Sequence, residues 1–265
     1  MSLELPSGLP LNAHVPADSF YELLRSHSLQ PQWELSEGSA QSLAAPEATT
    51  VLALRYAEGV VMVGDRRATE GHSIAHRRIQ KVYPADDYSA VAIAGTAGLA
   101  MEMVKLFQTE LEHYEKLEGA RLSLEGKANH LARMVRQQLP MAFQGLVVVP
   151  LFCGFDEVAN EGRLYTYDVV GGRYEEEDFA ASGSGGREAK AFLRSVYSEG
   201  ASAGDALRNA IAAITAAAEQ DTATGGPDLR REIYPTAVVV NDSGYNEVDD
   251  AHVAELSQSV LEEQS

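Results

Sequence analysis

The chain has 265 residues, 45% of them apolar, which is enough for one large domain with a sizeable core. Its formal net charge is −18 at pH 7, and both the first 48 residues (−5) and the remainder (−13) are acidic. An acidic chain repels phosphate backbones, so nucleic-acid binding is disfavoured. The single cysteine, Cys153, allows no disulfide within the chain, which is typical of a reducing compartment, and its apolar neighbours predict a buried thiol.

Residues 1–48 form a leader that differs in composition from the rest of the chain. They hold six acidic residues, one basic residue and scattered prolines, with no basic start or apolar core of a secretion signal. We interpret the leader as a disordered tail or a propeptide, with a possible short helix over 19–29. No run of eighteen apolar residues occurs anywhere, so no membrane crossing is predicted.

Beyond the leader, apolar patterning predicts strands first and then alternating groups of helices and strands. The predicted strands cover 50–56, 60–65, 88–94, 146–152, 163–168, a stretch around Phe179, and 236–240. The predicted helices cover 97–111, 124–139, 187–197 and 205–220. Ser123 is a predicted N-cap, while Gly119 and Pro140 are predicted helix ends. Pro150 predicts an edge or bulge in its strand, and a short acidic tail is expected to close the chain.

Helices that occur in sequential pairs do not fit a parallel sheet, in which single strands and single helices alternate along the chain. The order instead favours the α+β class, with two antiparallel sheets stacked between helical layers.

Several polar residues and glycines stand where predicted elements meet. Thr49-Thr50 lies between the leader and the first strand, Asp65 follows the second strand, and Gly95 separates a strand from a helix. The others are Lys81 in Gln80-Lys81-Val82-Tyr83, Ser184 in Gly183-Ser184-Gly185, and Asp221 with Thr224 in Asp221-Thr222-Ala223-Thr224-Gly225-Gly226. Each of these residues also has an ordinary structural explanation, such as a surface lysine or a tight turn. None of them alone is therefore strong evidence for a catalytic site.

Taken in order, these motifs resemble those of the proteasome β subunits, especially the actinobacterial type. The likeness covers residues 49 to about 250 and includes the runs Leu111-Glu112-His113-Tyr114-Glu115-Lys116-Leu117-Glu118-Gly119 and Thr224-Gly225-Gly226-Pro227-Asp228-Leu229. The resemblance implies a four-layer αββα sandwich of the N-terminal nucleophile hydrolase type. It also implies that residues 1–48 are a propeptide removed by autocleavage and that residues 49–265 form the catalytic domain. One departure is Ala48, where the family usually has glycine.

The same resemblance implies a threonine endopeptidase that uses no cofactor and no metal. Thr49 would be the nucleophile, Asp65 would hold Lys81, and Lys81 would tune Thr49 electrostatically. Gly95 N–H would donate to the oxyanion. Ser184, Asp221 and Thr224 would support the amine of Thr49.

Elementary chemistry agrees with these roles. A threonine hydroxyl needs a base, and a free α-amine has a pKa of roughly 7.7–8.0, so it can serve as that base near pH 7. An amide nitrogen is not basic, and therefore the mechanism operates only after the bond between Ala48 and Thr49 is cut.

The residues that match the family's specificity pocket carry no charge, so cleavage after large hydrophobic residues is expected. They are Ala68, Ile79, Tyr83, Ile93, Ala97 and Met101. Thr69 and Ala97 would hold the substrate backbone as an added strand.

The family further implies a cytoplasmic α7β7β7α7 barrel built from proteasome α and β subunits. An ATPase ring would act through the α ring, and a prokaryotic ubiquitin-like protein would mark protein and peptide substrates. Neither a nucleic acid nor a membrane is an expected partner.

Other functions remain as alternatives. The main one is a noncatalytic ring subunit of the same fold. The simpler bacterial two-ring peptidase is disfavoured, because its chains are shorter and lack Gly64-Asp65-Arg66-Arg67 in this form. A zinc site at His72 and His76 lacks a third ligand, and Gly183-Ser184-Gly185 lacks the spacing of a phosphate loop.

Overall fold

The computed structural model describes residues 49–70 and 73–263. The leader, including the helix predicted over 19–29 and Ala48, lies outside the described residues, as does His72. The strands are β1 (Thr50–Tyr56), β2 (Gly59–Gly64), β3 (Ala68–Glu70), β4 (Ser73–His76), β5 (Val82–Asp86), β6 (Ser89–Gly95), β7 (Val148–Asp156), β8 (Glu161–Tyr167), β9 (Arg173–Glu176), β10 (Phe179–Gly183), β11 (Thr236–Asn241) and β12 (Gly244–Glu247). The helices are α1 (Ala97–Glu118), α2 (Leu124–Gln137), α3 (Leu139–Ala142), α4 (Gly186–Val196), α5 (Ala203–Gln220) and α6 (Asp250–Glu263).

Two five-stranded antiparallel sheets form the centre of the molecule. The first sheet has the order β10-β1-β2-β11-β12 and the second has the order β5-β6-β7-β8-β9, while β3 and β4 form a separate hairpin. Strand β1 is therefore paired on both sides, with β2 and with β10. Its start lies beside the ends of both neighbours, and this is where the candidate site forms.

Three hydrophobic clusters separate four layers. One packs α4, α5 and α6 on the first sheet, a second packs α1 and α2 on the second sheet, and a third fills the space between the sheets. Along β1, Val51 and Ala53 belong to the cluster between the sheets, whereas Leu52 and Leu54 face the helices. The four-layer αββα prediction is thus confirmed.

The predicted bounds of the four helices lie close to the observed ones. Several strands were not predicted at all. Gly119 ends α1 in a left-handed conformation (φ 67°), and Ser123 caps α2 by accepting a hydrogen bond from the Gly126 N–H (3.1 Å). Pro150 lies in β7 opposite Ile93, one residue before the pairing of β7 with β8 begins, so its missing N–H leaves no ladder bond unmade.

The expectation of a plain acidic tail is wrong, because residues 250–263 form the helix α6. Its buried side chains are Val253, Ser257 and Val260, which share one face at helical spacing. Strands β3, β4, β5, β9 and β12 also escaped prediction, since each has at most five residues and none carries a long buried apolar run.

Cys153 lies on β7 in the cluster between the sheets and is fully buried, as predicted. Burial raises the pKa of this thiol far above its usual range, which makes it a poor nucleophile. Within the described part of the chain, no helix has both the length and the apolar character needed to cross a membrane.

Candidate active site

The start of β1 lies in the interior of the molecule. Thr49 is 6% exposed and Thr50 is fully buried. The alternation of β1 places the position of Thr49 on the same side as Val51, toward the space between the sheets, and that of Thr50 on the side of the helices α4 to α6. The two threonines therefore face different surroundings.

Asp65 follows β2 directly and is fully buried. Its Oδ1 accepts hydrogen bonds from Lys81 Nζ (2.5 Å) and from the Thr50 N–H (2.8 Å). Its Oδ2 accepts from the N–H groups of Arg67 and Gly225, each at 2.9 Å. Four donors saturate the four acceptor sites of a carboxylate. Asp65 is therefore a fixed anion that ties four parts of the chain together.

Lys81 stands just before β5 and is 4% exposed, so the ordinary explanation of a surface lysine is wrong. Its Nζ contacts Asp65 Oδ1 and also donates to the backbone carbonyl of Arg67 at 2.6 Å. Burial lowers the pKa of Lys81, and the charge and hydrogen bond of Asp65 oppose that shift only in part. A buried cation of this kind depends on its partner carboxylate.

Ser184, Asp221 and Thr224 form a second polar cluster. Ser184 Oγ donates to Asp221 Oδ2 at 2.5 Å, and Thr224 Oγ1 donates to the same oxygen at 2.6 Å. Partial burial on its own would raise the pKa of Asp221, but these hydrogen bonds and those from backbone N–H groups outweigh it and lower the pKa. Asp221 is thus an anion that only accepts hydrogen bonds.

Thr50 joins this cluster to the start of β1, and sequence reasoning missed it. Its Oγ1 accepts from the Gly185 N–H (2.9 Å) and lies 2.6 Å from Thr224 Oγ1. Because Thr224 gives its own proton to Asp221, Thr50 must be the donor to Thr224. The hydroxyl of Thr50 is fully engaged, and only its adjacency to Thr49 in the sequence could have drawn attention to it.

The backbone of Thr49 is held from the other side by the turn after β10. The Thr49 carbonyl accepts a hydrogen bond from the Ser184 N–H at 3.0 Å. Gly183 has φ 95°, and a Cβ there would lie 1.7 Å from the Thr49 carbonyl oxygen. Only glycine allows this approach. Among the described residues, the cluster of Ser184, Asp221 and Thr224 contacts the start of β1 at two groups: the Thr49 carbonyl, through the Ser184 N–H, and the Thr50 hydroxyl, through Thr224 Oγ1.

Gly95 ends β6 with φ 120°, a conformation that favours glycine. A Cβ at this position would lie 2.0 Å from the carbonyl oxygen of Val147, which accepts the N–H of the next residue, Thr96, at 2.9 Å. Strand β6 also runs beside Lys81, whose carbonyl accepts the Ile93 N–H at 3.3 Å. Gly95 is therefore the last residue of the strand that runs beside Lys81.

The predicted specificity residues come from β3, the segment before β5, β5, β6 and α1. Ala68 and Ile93 are buried, Thr69, Ile79, Tyr83 and Ala97 are partly buried, and Met101 is 48% exposed. Strand β3 pairs only with β4 among the described residues, so its other edge is open to an added strand. A bulge between Ala68 and Thr69 interrupts the pairing there.

Of the two histidines considered as zinc ligands, His76 lies in the exposed strand β4, and His72 lies outside the described residues. Over residues 49–70 and 73–263, no group of three histidine, cysteine or acidic side chains is placed to hold a metal ion.

Comparison with known proteins identifies the family. A model described as "Proteasome subunit" matches residues 46–228. The chain belongs to the proteasome β-subunit family. The "Proteasome subunit beta" of Acidimicrobium ferrooxidans is 51% identical over 244 residues, covering 92% of this chain and 89% of the relative. That of Streptomyces griseus is 53% identical over 218 residues (82% and 78%), and that of Stackebrandtia nassauensis is 50% identical over 266 residues (97% and 95%).

This membership confirms the resemblance argued from the motifs. The chain is a β subunit of a bacterial proteasome, and the family makes it part of a protease.

Proposed function

We propose that this chain is a catalytic subunit of the threonine type, and that its nucleophile is the Thr49 hydroxyl. The observation that carries the proposal is the convergence of two polar clusters on the start of β1, the buried pair of Asp65 and Lys81 and the more exposed cluster of Ser184, Asp221 and Thr224. Asp65, paired with Lys81, binds the Thr50 N–H, and Ser184, which is paired with Asp221, binds the Thr49 carbonyl. The hydroxyl of Thr50 is already committed to two partners, which leaves Thr49 as the reactive residue.

The chemistry begins when the amine of mature Thr49 takes the proton of its own hydroxyl. The Thr49 Oγ attacks the scissile carbonyl, and the Gly95 N–H stabilises the negative charge that develops on the carbonyl oxygen. The positive charge of Lys81 favours the neutral form of the nearby amine. The leaving amine takes the proton, and water then cleaves the acyl ester to free Thr49.

The same residues account for maturation. In the precursor, Thr49 Oγ attacks the carbonyl of Ala48, the peptide bond becomes an ester, and water releases residues 1–48. Either alanine before Thr49 slows this cut relative to the family's usual glycine, or the local bend suits alanine.

A noncatalytic ring subunit is the second candidate. Burying Lys81 and Asp65 costs desolvation free energy, and a well-packed apolar pair would often stabilise a purely structural subunit equally well or better. The buried ion pair therefore favours the catalytic role. In this proposal the subunit works in a cytoplasmic α7β7β7α7 barrel. An ATPase ring supplies unfolded substrates, and a prokaryotic ubiquitin-like protein marks them.

Maturation gives the direct test of the proposed function. We expect the β subunit of particles assembled with α subunits to begin at Thr49, as measured by intact mass and N-terminal sequencing. Retention of residues 1–48 in fully assembled particles would favour the noncatalytic candidate. Ala48→Gly measures the effect of the alanine: faster processing than the natural sequence means that alanine slows the cut, and an equal rate means that the bend suits alanine.

Peptide specificity tests the proposed pocket. The six predicted pocket residues are uncharged, so an unpaired substrate charge would lose its hydration without gaining a partner. We expect kcat/KM for peptides with leucine or tyrosine before the cut to exceed that for arginine or aspartate by at least about tenfold, which corresponds to roughly 1.4 kcal/mol. Equal rates for charged and apolar peptides would contradict this pocket assignment while leaving Thr49 as nucleophile.

A further inference from the structure

A positively charged groove lies between β10 and α4, in a chain whose net charge is −18. We call it the β10–α4 groove. Its volume is about 470 Å³, and its described lining contains no acidic residue. The lining includes Ser182 and Gly183 of β10 and three cations of α4, namely Arg187, Lys190 and Arg194. None of the three is paired with an acidic side chain among residues 49–70 and 73–263. The groove therefore presents three available positive charges on an acidic subunit.

The three cations follow one face of α4. Residues three and four apart are neighbours on a helix surface, and a rise of 1.5 Å per residue spreads Arg187, Lys190 and Arg194 over about 10 Å. An extended peptide advances about 3.3 Å per residue, so three or four residues can run past all three charges. Among the described strands, β10 pairs only with β1, and its other edge is free to pair with such a peptide. The groove therefore suits an extended acidic segment.

The β10–α4 groove begins beside Thr49. Ser184, which follows Gly183, donates its N–H to the Thr49 carbonyl at 3.0 Å, and Gly183 approaches the same carbonyl so closely that only glycine fits. In the sheet, β10 and β2 lie on opposite sides of β1. The proposed specificity pocket includes Ala68, which comes shortly after β2. A substrate that fills this pocket with the residue before the cut therefore crosses Thr49 and continues toward β10.

We propose that the β10–α4 groove binds the substrate residues that follow the cut and prefers acidic side chains among them. The proposal rests on the proposed function, since it needs Thr49 to attack the substrate carbonyl. The uncharged pocket selects a large apolar residue before the cut, and Arg187, Lys190 and Arg194 select carboxylates after it. These contacts hold the part of the substrate that departs with the new amine, so they act on substrate binding and end when that product leaves.

Peptides that extend past the cut test this preference. Two internally quenched peptides share every residue up to a leucine at the cut and differ at two of the first four positions after it, which carry aspartate in one peptide and lysine in the other. With assembled, processed particles at low ionic strength, we expect kcat/KM to be at least about fivefold higher for the aspartate peptide, because exposed ion pairs contribute modestly. At 1 M salt, where the screening length is about 3 Å, the ratio should fall below about twofold.

A matched pair of variants assigns the preference to the groove. Lys190→Glu reverses the middle charge of the three and should bring the aspartate-to-lysine ratio below about twofold at low ionic strength. Arg133→Glu makes the same change in net charge at an exposed position of α2 and should keep the wild-type ratio. A peptide with aminocoumarin directly after the leucine has no residue beyond the cut, so both variants should hydrolyse it within about twofold of the wild-type rate. An indirect effect of Lys190 on Thr49 would lower this rate as well.

The possible failures are distinct. Equal kcat/KM for the two peptides in the wild type, or a ratio that Lys190→Glu leaves unchanged, would overturn the role of the groove. Loss of assembly in both Lys190→Glu and Lys190→Gln would make the groove a contact between subunits and would also overturn it. The aminocoumarin peptide tests the proposed function separately: if particles carrying Thr49→Ala still cleave it, that function is wrong, whichever extended peptide is preferred.

Discussion

Replacing Thr49 by alanine is expected to abolish peptide hydrolysis and to leave residues 1–48 attached. The change removes the only hydroxyl proposed to attack either the carbonyl of Ala48 or that of a substrate. The loss in kcat should reach the order of 10⁴-fold or more, as it does when the nucleophile of a serine protease is removed. The measurement is peptide turnover by assembled particles, together with the intact mass of the β subunit.

Two matched variants test whether the effect comes from the hydroxyl oxygen of Thr49 itself. Thr49→Ser keeps a hydroxyl and should still process and cleave. Thr50→Ser keeps the bonds to Gly185 and Thr224, so it should behave like the wild type. A processed and active Thr49→Ala subunit would rule out Thr49 as nucleophile.

Replacing Asp65 by asparagine should have the second large effect, on stability as well as activity. An amide cannot accept all four hydrogen bonds that the carboxylate accepts, and it removes the negative charge that Lys81 Nζ contacts directly. Removing one partner of a buried pair typically costs about 3–5 kcal/mol of unfolding free energy. We expect a large drop in the Tm of the full-length subunit and the loss of self-processing.

A double variant separates the two consequences. In Asp65→Asn with Lys81→Met, no charge is left unpaired, so much of the lost stability should return. Activity should not return, because the positive charge proposed to tune the Thr49 amine is gone. Recovery of peptide hydrolysis in the double variant, or an unchanged Tm in Asp65→Asn, would contradict the role given to this pair.

The sequence predicts the elements of this site best where the informative residues are adjacent in the chain. Gly64-Asp65 ends a buried apolar run and Gly95 separates a strand from a helix, so their neighbours alone place both at the ends of predicted strands, although only the whole series of motifs indicates a site. The four layers also follow from the order of apolar segments. The leader was set apart by composition alone.

The contacts that escaped prediction join distant segments. The link between Thr50 and Thr224 joins residues 174 positions apart, and the bond from Gly225 to Asp65 joins residues 160 positions apart. Nothing in the local sequence specifies either bond, because Thr224 and Gly225 lie in the loop after α5, which meets the start of β1 and the end of β2 only in the folded chain. The helix α6 escaped for a different reason: its polar residues conceal the single buried face formed by Val253, Ser257 and Val260.

The four hydrogen bonds of the Asp65 carboxylate also determine when the site can form during translation. Its fourth donor, the Gly225 N–H, lies far toward the C-terminus, and so do Asp221 and Thr224. A nascent chain that has not yet reached residue 225 has already made Thr49, Asp65 and Lys81, but it lacks the segment that fixes them. The proposed site is therefore incomplete until the segment that carries Asp221, Thr224 and Gly225 has been synthesised.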